Sequence, residues 1–328
     1  MDPTAKITNS NLVSKLDSGD LGQLKEAQEG VNDYLRIRAR EDGFARGIME
    51  ARPVTPDQFT KQVDTDMPCI VKDMEPNSTG AFSIPFGQGA GDAYMGAPRY
   101  RIMFRRNSTE RYRTDIAKLY TYDADLKDLF SDLLLKDLMD EEDRKFIGRV
   151  DTMLGDLDDS DTSTNSRLNT VGAMGFVTVG AVSRESLFHA RGGTVSTNRH
   201  LPPSKNLCNV LFLNEVAALG RDSLGGDIAE NVFTNGWTET NIAGLPTLAT
   251  IKTDLVPNLT MYTFSDPKYL GDFLIAEDVT VSFKKEDYWI MLRAYELIGA
   301  SIKNEAGASK AQFNGSRTEW VPSAGSSS

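Results

Sequence analysis

A chain of 328 residues with 40% apolar and 25% charged side chains has material for two or three lobes around a buried core. No apolar run approaches the roughly 18–20 residues that span a bilayer, and the first twenty residues lack the basic-then-apolar order of a secretory signal. A formal charge of −11 excludes a protein built mainly to grip phosphate backbones.

In chain order, residues 1–20 are polar and read as irregular. LGQLKEAQEGVNDYLRIRAREDGFARGIMEAR then reads as helix, weakened near Gly30, with Leu21, Leu24, Ala27, Val31, Tyr34 and Leu35 at helical spacing. Pro53 and Pro56 end it. From about Pro68 the pattern changes: CIVKDM reads as strand, PNSTGA as turn, FSIPF as a short extended piece. FGQGAGDAYMGAP follows, and PRYRIMFRRNSTERYR resumes as strand, so 68–114 reads as a long two-stranded ribbon with a glycine-rich end. A ribbon so poor in apolar residues is marginal alone in water and needs something to lie on.

The strongest helix comes next, from about Asp123 to Leu154 and roughly 45 Å long. Leu126, Leu129, Phe130, Leu133, Leu134 and Leu138 make its stripe, resumed after DEED by Phe146, Ile147, Val150 and Leu154. GDLDDSDTSTNS is an acidic loop without the central Gly and terminal Glu of a calcium hand. The C-terminal half alternates short elements: GAMGFVTVGA as strand, SRESLFHARGG as helix, NVLFLN as buried strand running into a helix through EVAALGR, then GLPTLATI, MYTF and FLIAED as extended pieces. VTVSFKKEDYWIMLRAYELIGASI reads as two long strands around a tight turn at KKED. The tail GSRTEWVPSAGSSS reads as frayed.

Sites of chemistry are scarce. Cys69 and Cys208 sit in apolar runs and read as buried thiols in a reducing compartment. His189 and His200 stand alone, and no His/Cys spacing suits zinc. The N-x-S/T matches at Asn77, Asn107, Asn258 and Asn314 read as chance. Gly87, Gly89 and Gly91 give G-x-G-x-G, not the dinucleotide G-x-G-x-x-G, and no helix opens after them; a Walker motif and G-x-S-x-G are absent. No catalytic, cofactor or metal site is therefore expected. The run RYRIMFRRNSTERYR, with Arg99, Arg101, Arg105, Arg106, Arg111 and Arg113 among aromatics, admits two readings. It could be a platform for single-stranded nucleic acid or a basic strand facing acidic protein. In so acidic a chain the second is favoured, with Asp137, Asp140, Glu141, Glu142 and Asp143 of the long helix as the acidic surface.

The order of these pieces resembles the major capsid proteins of tailed bacteriophages, the Hong Kong 97-like fold. The run NVLFLNEVAALGRD, NIAGLPTLATIKTDLVP, FLIAEDVTVSFKKEDYWIMLRAYELIGASI carries most of the likeness. The resemblance implies an α+β fold with an N-terminal arm (1–65), an extended E-loop hairpin (66–115) and a P domain with a long spine helix (116–200). An A domain (201–275), return strands with a P-loop (276–310) and a C-terminal tail (311–328) complete it. It implies a structural protein, not an enzyme and without cofactor, that self-assembles through pentamers and hexamers into an icosahedral shell around a phage's double-stranded DNA. Assembly in the host bacterial cytoplasm is implied, with no membrane and no sequence-specific DNA binding. A separate scaffolding protein, a portal protein and decoration proteins are the implied partners. Contacts between copies are expected at Gly87, Gly89 and Gly91, at Arg99, Arg101, Arg105 and Arg106, at Asp137, Glu141 and Glu142, and at the P-loop residues Lys284, Lys285, Glu286 and Asp287. Some members of the family cross-link through an E-loop Lys. Lys72 is the sole candidate here and stands near the ribbon's base, so a non-covalent shell is expected. The competing readings are an encapsulin-like nanocompartment shell and a nucleotide-dependent soluble enzyme.

Overall fold

The structure, a computed structural model, describes residues 43–73, 99–119, 126–154, 175–179, 181–197, 200–217 and 240–313, with single residues at 14, 15, 22, 83, 84, 86, 91 and 92. The first half holds helix α1 (Phe44–Ile48), strands β1 (Ala51–Pro53), β2 (Cys69–Asp73), β3 (Arg99–Met103), β4 (Arg105–Ser108) and β5 (Tyr112–Asp115), then α2 (Ile116–Leu119) and the long α3 (Leu126–Leu154). After it come β6 (Gly175–Val179), α4 (Arg184–Arg191), β7 (Pro203–Asn209), α5 (Val210–Ala217), β8 (Thr240–Ile242), β9 (Leu245–Thr250) and β10 (Thr260–Ser265). The helical turn α6 (Pro267–Leu270) leads into β11 (Gly271–Glu286), β12 (Trp289–Ile302) and β13 (Ala308–Phe313). The chain divides into two compact units: residues 1–146 with 271–303, and 147–270 with 304–328.

The first unit is a helix on a sheet. Its sheet runs β1-β11-β12-β4, with β5 also on β12. Alternation decides which side is buried. Val279, Val281 and Phe283 of β11 and Ile290, Leu292 and Ala294 of β12 share one face. They pack against Phe130, Leu134, Leu135, Leu138 and Met139 of α3. Those helix positions recur every three or four residues, so one stripe meets one sheet face. Of the leucines read into this stripe, Leu133 is 41% exposed, because it sits a third of a turn away from Leu134. A separate two-stranded ribbon, β2 with β3, pairs Cys69 with Met103 through Asp73 with Arg99.

The second unit has a six-stranded sheet, β6-β13-β10-β7-β9-β8. Leu187 and Ala190 of α4 and Phe212, Leu213 and Val216 of α5 pack with Cys208, Met261, Ala311 and Phe313 of the strands. Helix α4 starts on a reciprocal cap: the Ser183 hydroxyl accepts from the Ser186 N–H at 3.1 Å, and the Ser183 N–H donates to Ser186 Oγ at 2.8 Å. The β8–β9 turn needs two left-handed residues, and Ala243 and Gly244 supply φ of 52° and 77°.

Four expectations differ from what is observed. Residues 51–53 are not the end of a helix but β1, parallel to β11 from Ala51↔Phe273 to Pro53↔Ile275. VLFLN is helix, not strand: β7 stops at Asn209, whose Oδ1 accepts from the Leu211 N–H at 2.9 Å and opens α5. The Arg-rich run is not one arm of the ribbon; β3 belongs to the ribbon, while β4 and β5 are strands of the larger sheet. Residues 311–313, expected in the tail, close β13 (Ala308–Phe313), which pairs with β10 and β6. The acidic loop 155–166 lies outside the described residues.

Gly271 opens β11 where the chain enters the first unit. A Cβ there would lie 2.2 Å from the Ser301 carbonyl oxygen and 3.0 Å from Ile302 Cα, both backbone atoms of the paired strand. Gly271→Ala therefore has to spread the ladder. A loss of roughly 1–3 kcal/mol is expected, read as a lower thermal midpoint of the unassembled subunit, whereas Gly148→Ala, with open space at the same point, leaves it unchanged or higher.

Candidate assembly surfaces

The β11–β12 hairpin projects the residues expected to meet other copies. Its strands run to Glu286↔Trp289, so Lys284 and Lys285 lie in β11 and the turn itself is Asp287 and Tyr288. The expected turn at KKED thus moves two residues toward the C-terminus. Asp287 takes a left-handed φ of 52°, which Asp tolerates better than most residues. Tyr288 is 61% exposed at the tip. Lys284 Nζ donates to Glu286 Oε1, two positions along one strand face. That hydrogen bond, before the lysine's charge, holds the Glu286 carboxyl below its ordinary range. Arg113 of β5 stacks over Trp289 at 4.2 Å.

At the ribbon, Arg99 donates to Asp73 at 2.9 Å and Arg101 to Asp64 at 3.3 Å, both in exposed pairs. Such pairs contribute little each. Gly91 is exposed, with open space where a Cβ would stand; Gly87 and Gly89 lie outside the described residues. Arg105 and Arg106 are exposed on β4, opposite Ile298 and Leu297.

Lys72 is engaged within its own chain. Its Nζ donates to Asp272 Oδ1 at 2.8 Å, and the Tyr100 hydroxyl donates to the other oxygen. Burial alone would raise the Asp272 carboxyl, but the hydrogen bonds from Lys72 and Tyr100 outweigh it and the net shift is downward. Burial, followed by the bond to Asp272, pushes the Tyr100 hydroxyl up. A carboxyl lowered in the folded state stabilises above its ordinary range and loses that contribution as pH falls through the folded value. Lys72→Ala is expected to cost about 1 kcal/mol near neutrality, and the difference from wild type should shrink in thermal melts toward pH 3.

The acidic face of α3 is not the open surface expected. Asp140 pairs with Arg144 at 3.4 Å and Glu141 with Lys145 at 3.0 Å, each one turn along the helix, and the Tyr112 hydroxyl donates to Asp137. The Tyr112–Asp137 bond pushes that hydroxyl up to about 12. Glu142 is a correction. Expected at a surface between copies, it is 2% exposed and held by Arg46 of α1, whose Nε donates to its Oε2 at 2.9 Å. Asp143 is fully buried and accepts from the Ala45 N–H at 2.9 Å. A carboxylate enclosed by its own chain cannot reach a neighbour.

Arg46 also donates to Glu296 Oε2 at 3.0 Å and lies 3.6 Å from Asp278. Asn107 Nδ2 donates to Glu296 Oε1 at 2.7 Å, and Asn107 Oδ1 accepts from Lys145 Nζ. Two buried carboxyls thus share one guanidinium. Burial, then the neighbouring Glu142 charge and the hydrogen bond to it, pushes Glu296 up to about 9, so at neutral pH it carries a proton. Arg46, Asn107 and Glu296 were missed as a group in the sequence. Glu142 had a signal: with Leu138 four positions before and Phe146 four after, it falls on the apolar stripe. Cys69 and Cys208 are buried free thiols as expected, and burial pushes Cys208 up to about 12. Among the described residues no His, Cys, Asp or Glu group could hold a metal ion, and no helix is long and apolar enough to cross a membrane.

Sequence comparison finds no matching family model and no matching curated relative. Structural comparison does find neighbours. A structure from Microbacterium phage Oxtober96 matches with TM-score 0.54 and 9% identity, over 83% of this chain and 91% of that one. The capsid of cyanophage P-SCSP1u gives 0.52 and 8% over 82% and 87%. The mature capsid of bacteriophage PhiM1 gives 0.51 and 10% over 83% and 87%. The chain has the Hong Kong 97-like capsid fold. At 8–10% identity the likeness is one of fold, the arrangement of elements, and not of side chains.

Proposed function

We propose that this chain is a major capsid protein, building an icosahedral shell of pentamers and hexamers around the double-stranded DNA of a tailed phage. The observation that supports it most is the match to phage capsid structures over more than four-fifths of both chains. The base of the ribbon is covered by its own unit, where Ile70 and Ile102 pack with Val54, Phe104 and Leu274; burial against other copies is proposed for the apolar-poor stretch beyond it, which alone would be marginal in water. In this reading Gly87, Gly89 and Gly91 let the ribbon's far end meet neighbours at differing angles. The exposed Arg99, Arg101, Arg105 and Arg106, with Asp137 and Glu141, contact other copies. Lys284, Lys285, Glu286 and Asp287 meet around three-fold axes, where Lys of one copy can face Glu or Asp of the next. The role is structural, with no reaction catalysed. A scaffolding protein, a portal protein and decoration proteins complete the head, assembled in the host cytoplasm. Lys72, held by Asp272, takes no part in covalent linkage.

The test is to express the chain with and without its phage's other head proteins and image the products by electron microscopy. Closed shells of uniform size that hold DNA in the phage support the reading. A chain that stays monomeric in both settings, or shells filled with protein cargo, would sink it. Denaturing electrophoresis of the particles should give one band near 36.1 kDa; a ladder would contradict the non-covalent shell.

A further inference from the structure

The outer face of the first unit's sheet is half covered and half bare. Along β12, Ile290, Leu292 and Ala294 point into the core with α3, so Trp289, Met291, Arg293 and Tyr295 stand on the opposite side. Toward the far end of that side the chain covers itself. Leu297 packs with Val54, Ile70, Ile102 and Phe104, and a Cβ on Gly299 would lie 3.1–3.2 Å from Ile102 and Phe104. Toward the hairpin tip Met291 is still buried, but Trp289, Arg293 and Tyr295 are half-exposed. There Arg113 lies over Trp289 at 4.2 Å, while Arg106 and Arg293 flank Tyr295 at 5.6 and 5.7 Å. Arg106 and Arg293 have no ion-pair partner among the described residues, and Arg113 acts on Glu286, which Lys284 already holds. In a chain of net charge −11, cations without a carboxylate are conspicuous. Asp137, Asp140, Glu141, Glu142 and Asp143 of α3 already have partners in their own unit.

The complement stands elsewhere on the same unit. Segment 57–67, which leads into the self-covering layer, carries Asp57 and Asp66, both exposed and without an ion-pair partner among the described residues. Between and beside them Val63 is fully exposed at 108% and Met67 is 58% exposed. Carboxylates interleaved with bare apolar side chains match arginines interleaved with aromatics, in charge and in polarity.

We infer that the bare Arg–aromatic half of this sheet face is the docking surface for segment 57–67 of a second copy of the chain. The inference rests on the shell reading above. Arginine planes resting on Tyr295 and Trp289 are already ordered, so little freedom is lost when a carboxylate arrives. Arg-to-carboxylate hydrogen bonds are charge-assisted and directional. Val63 and Met67 then gain cover from the rings. A phosphate backbone would satisfy the arginines but leave those two side chains in water. Because the two surfaces differ, each copy offers both, and the contact is head-to-tail. Contacts of that kind propagate and close into rings when the rotation allows.

The test is a charge swap in the full chain, with particle yield read by velocity sedimentation and electron microscopy. Arg106→Glu with Arg293→Glu should lower the yield at least tenfold, and Asp57→Arg with Asp66→Arg should do the same. All four substitutions together should restore it to within about threefold of wild type. Thermal melts of the unassembled variants should match wild type; if the glutamate variant does not fold, Arg106→Gln with Arg293→Gln replaces it with the same expected direction. The inference is overturned if either pair assembles normally, if the combined variant stays unassembled, or if the arginine variant forms normal shells that retain less DNA. Wild-type chain that never assembles sinks the shell reading itself, whereas wild-type shells with indifferent variants sink only the docking surface.

Discussion

Arg46→Met is expected to lower the stability of the unassembled subunit by roughly 3–5 kcal/mol, a fall in thermal midpoint on the order of 10 °C. Arg46 is 9% exposed, and Glu142 and Glu296 around it are 2% and 0% exposed. Methionine fills the space but leaves the Glu142 and Glu296 carboxyls in the interior with no guanidinium beside them. Desolvation then acts uncompensated, and this, more than the lost attraction, sets the size of the effect. Glu296→Gln should cost far less, because Glu296 is already neutral at pH 7 and glutamine can still accept from Asn107 or Arg46. Adding Glu142→Gln and Glu296→Gln to Arg46→Met should recover most of the loss; if it does not, packing and not charge accounts for it. The pH dependence has a definite sign. Glu296 binds its proton more tightly folded than unfolded, with a folded value of about 9, so its contribution is complete below the ordinary carboxylate range and declines as pH rises toward about 9. Melts at pH 6 and pH 9 should show the decline in wild type and a flatter profile in Glu296→Gln. A flat wild-type profile would remove the shared proton.

Leu134→Ala should cost roughly 2–5 kcal/mol, while the same change one residue earlier, Leu133→Ala, should stay within about 0.5 kcal/mol. Leu134 is fully enclosed between α3 and the β11–β12 face, and Leu133 is 41% exposed. Truncating Leu134 leaves a hole bounded by Val281, Leu292 and neighbours that cannot all move inward at once. Denaturant melts measure both. Equal losses would mean that the helix packs in a different rotation.

The contrast within LLL shows what the sequence can and cannot disclose. Hairpin strands β11 and β12 are legible because Val279, Val281 and Phe283 alternate with polar residues, a period no helix shares. VLFLN is illegible by the same rule: an unbroken apolar run fits a buried strand or a buried helix. The capping Asn209 was the available clue. The Arg46 cluster could not be read, since Arg46 and Glu296 are 250 positions apart and nothing local distinguishes Arg46 from the other arginines before it. Glu142 looked solvated within DEED because charge usually means surface; its place on the helical stripe was outweighed by composition. The Arg-rich run was legible as basic and aromatic, but not as two elements, because the break at Phe104 is made by β12, which pairs with β4 and not with β3.

The order of synthesis places β11, β12 and β13 after the earlier strands they pair with, β1, β4, β5, β6 and β10. Each unit's sheet has an interior member among these last strands: β11 and β12 in one, β13 in the other. A nascent polypeptide still threaded through the ribosome tunnel at residue 270 holds β1 without the strand it lies beside and β6 and β10 with a gap between them. Distant pairings are slow to form because the intervening chain must first be closed. The Arg–aromatic face therefore exists only once β12 has been made, so a precursor that already carries segment 57–67 has no such face to offer its neighbours.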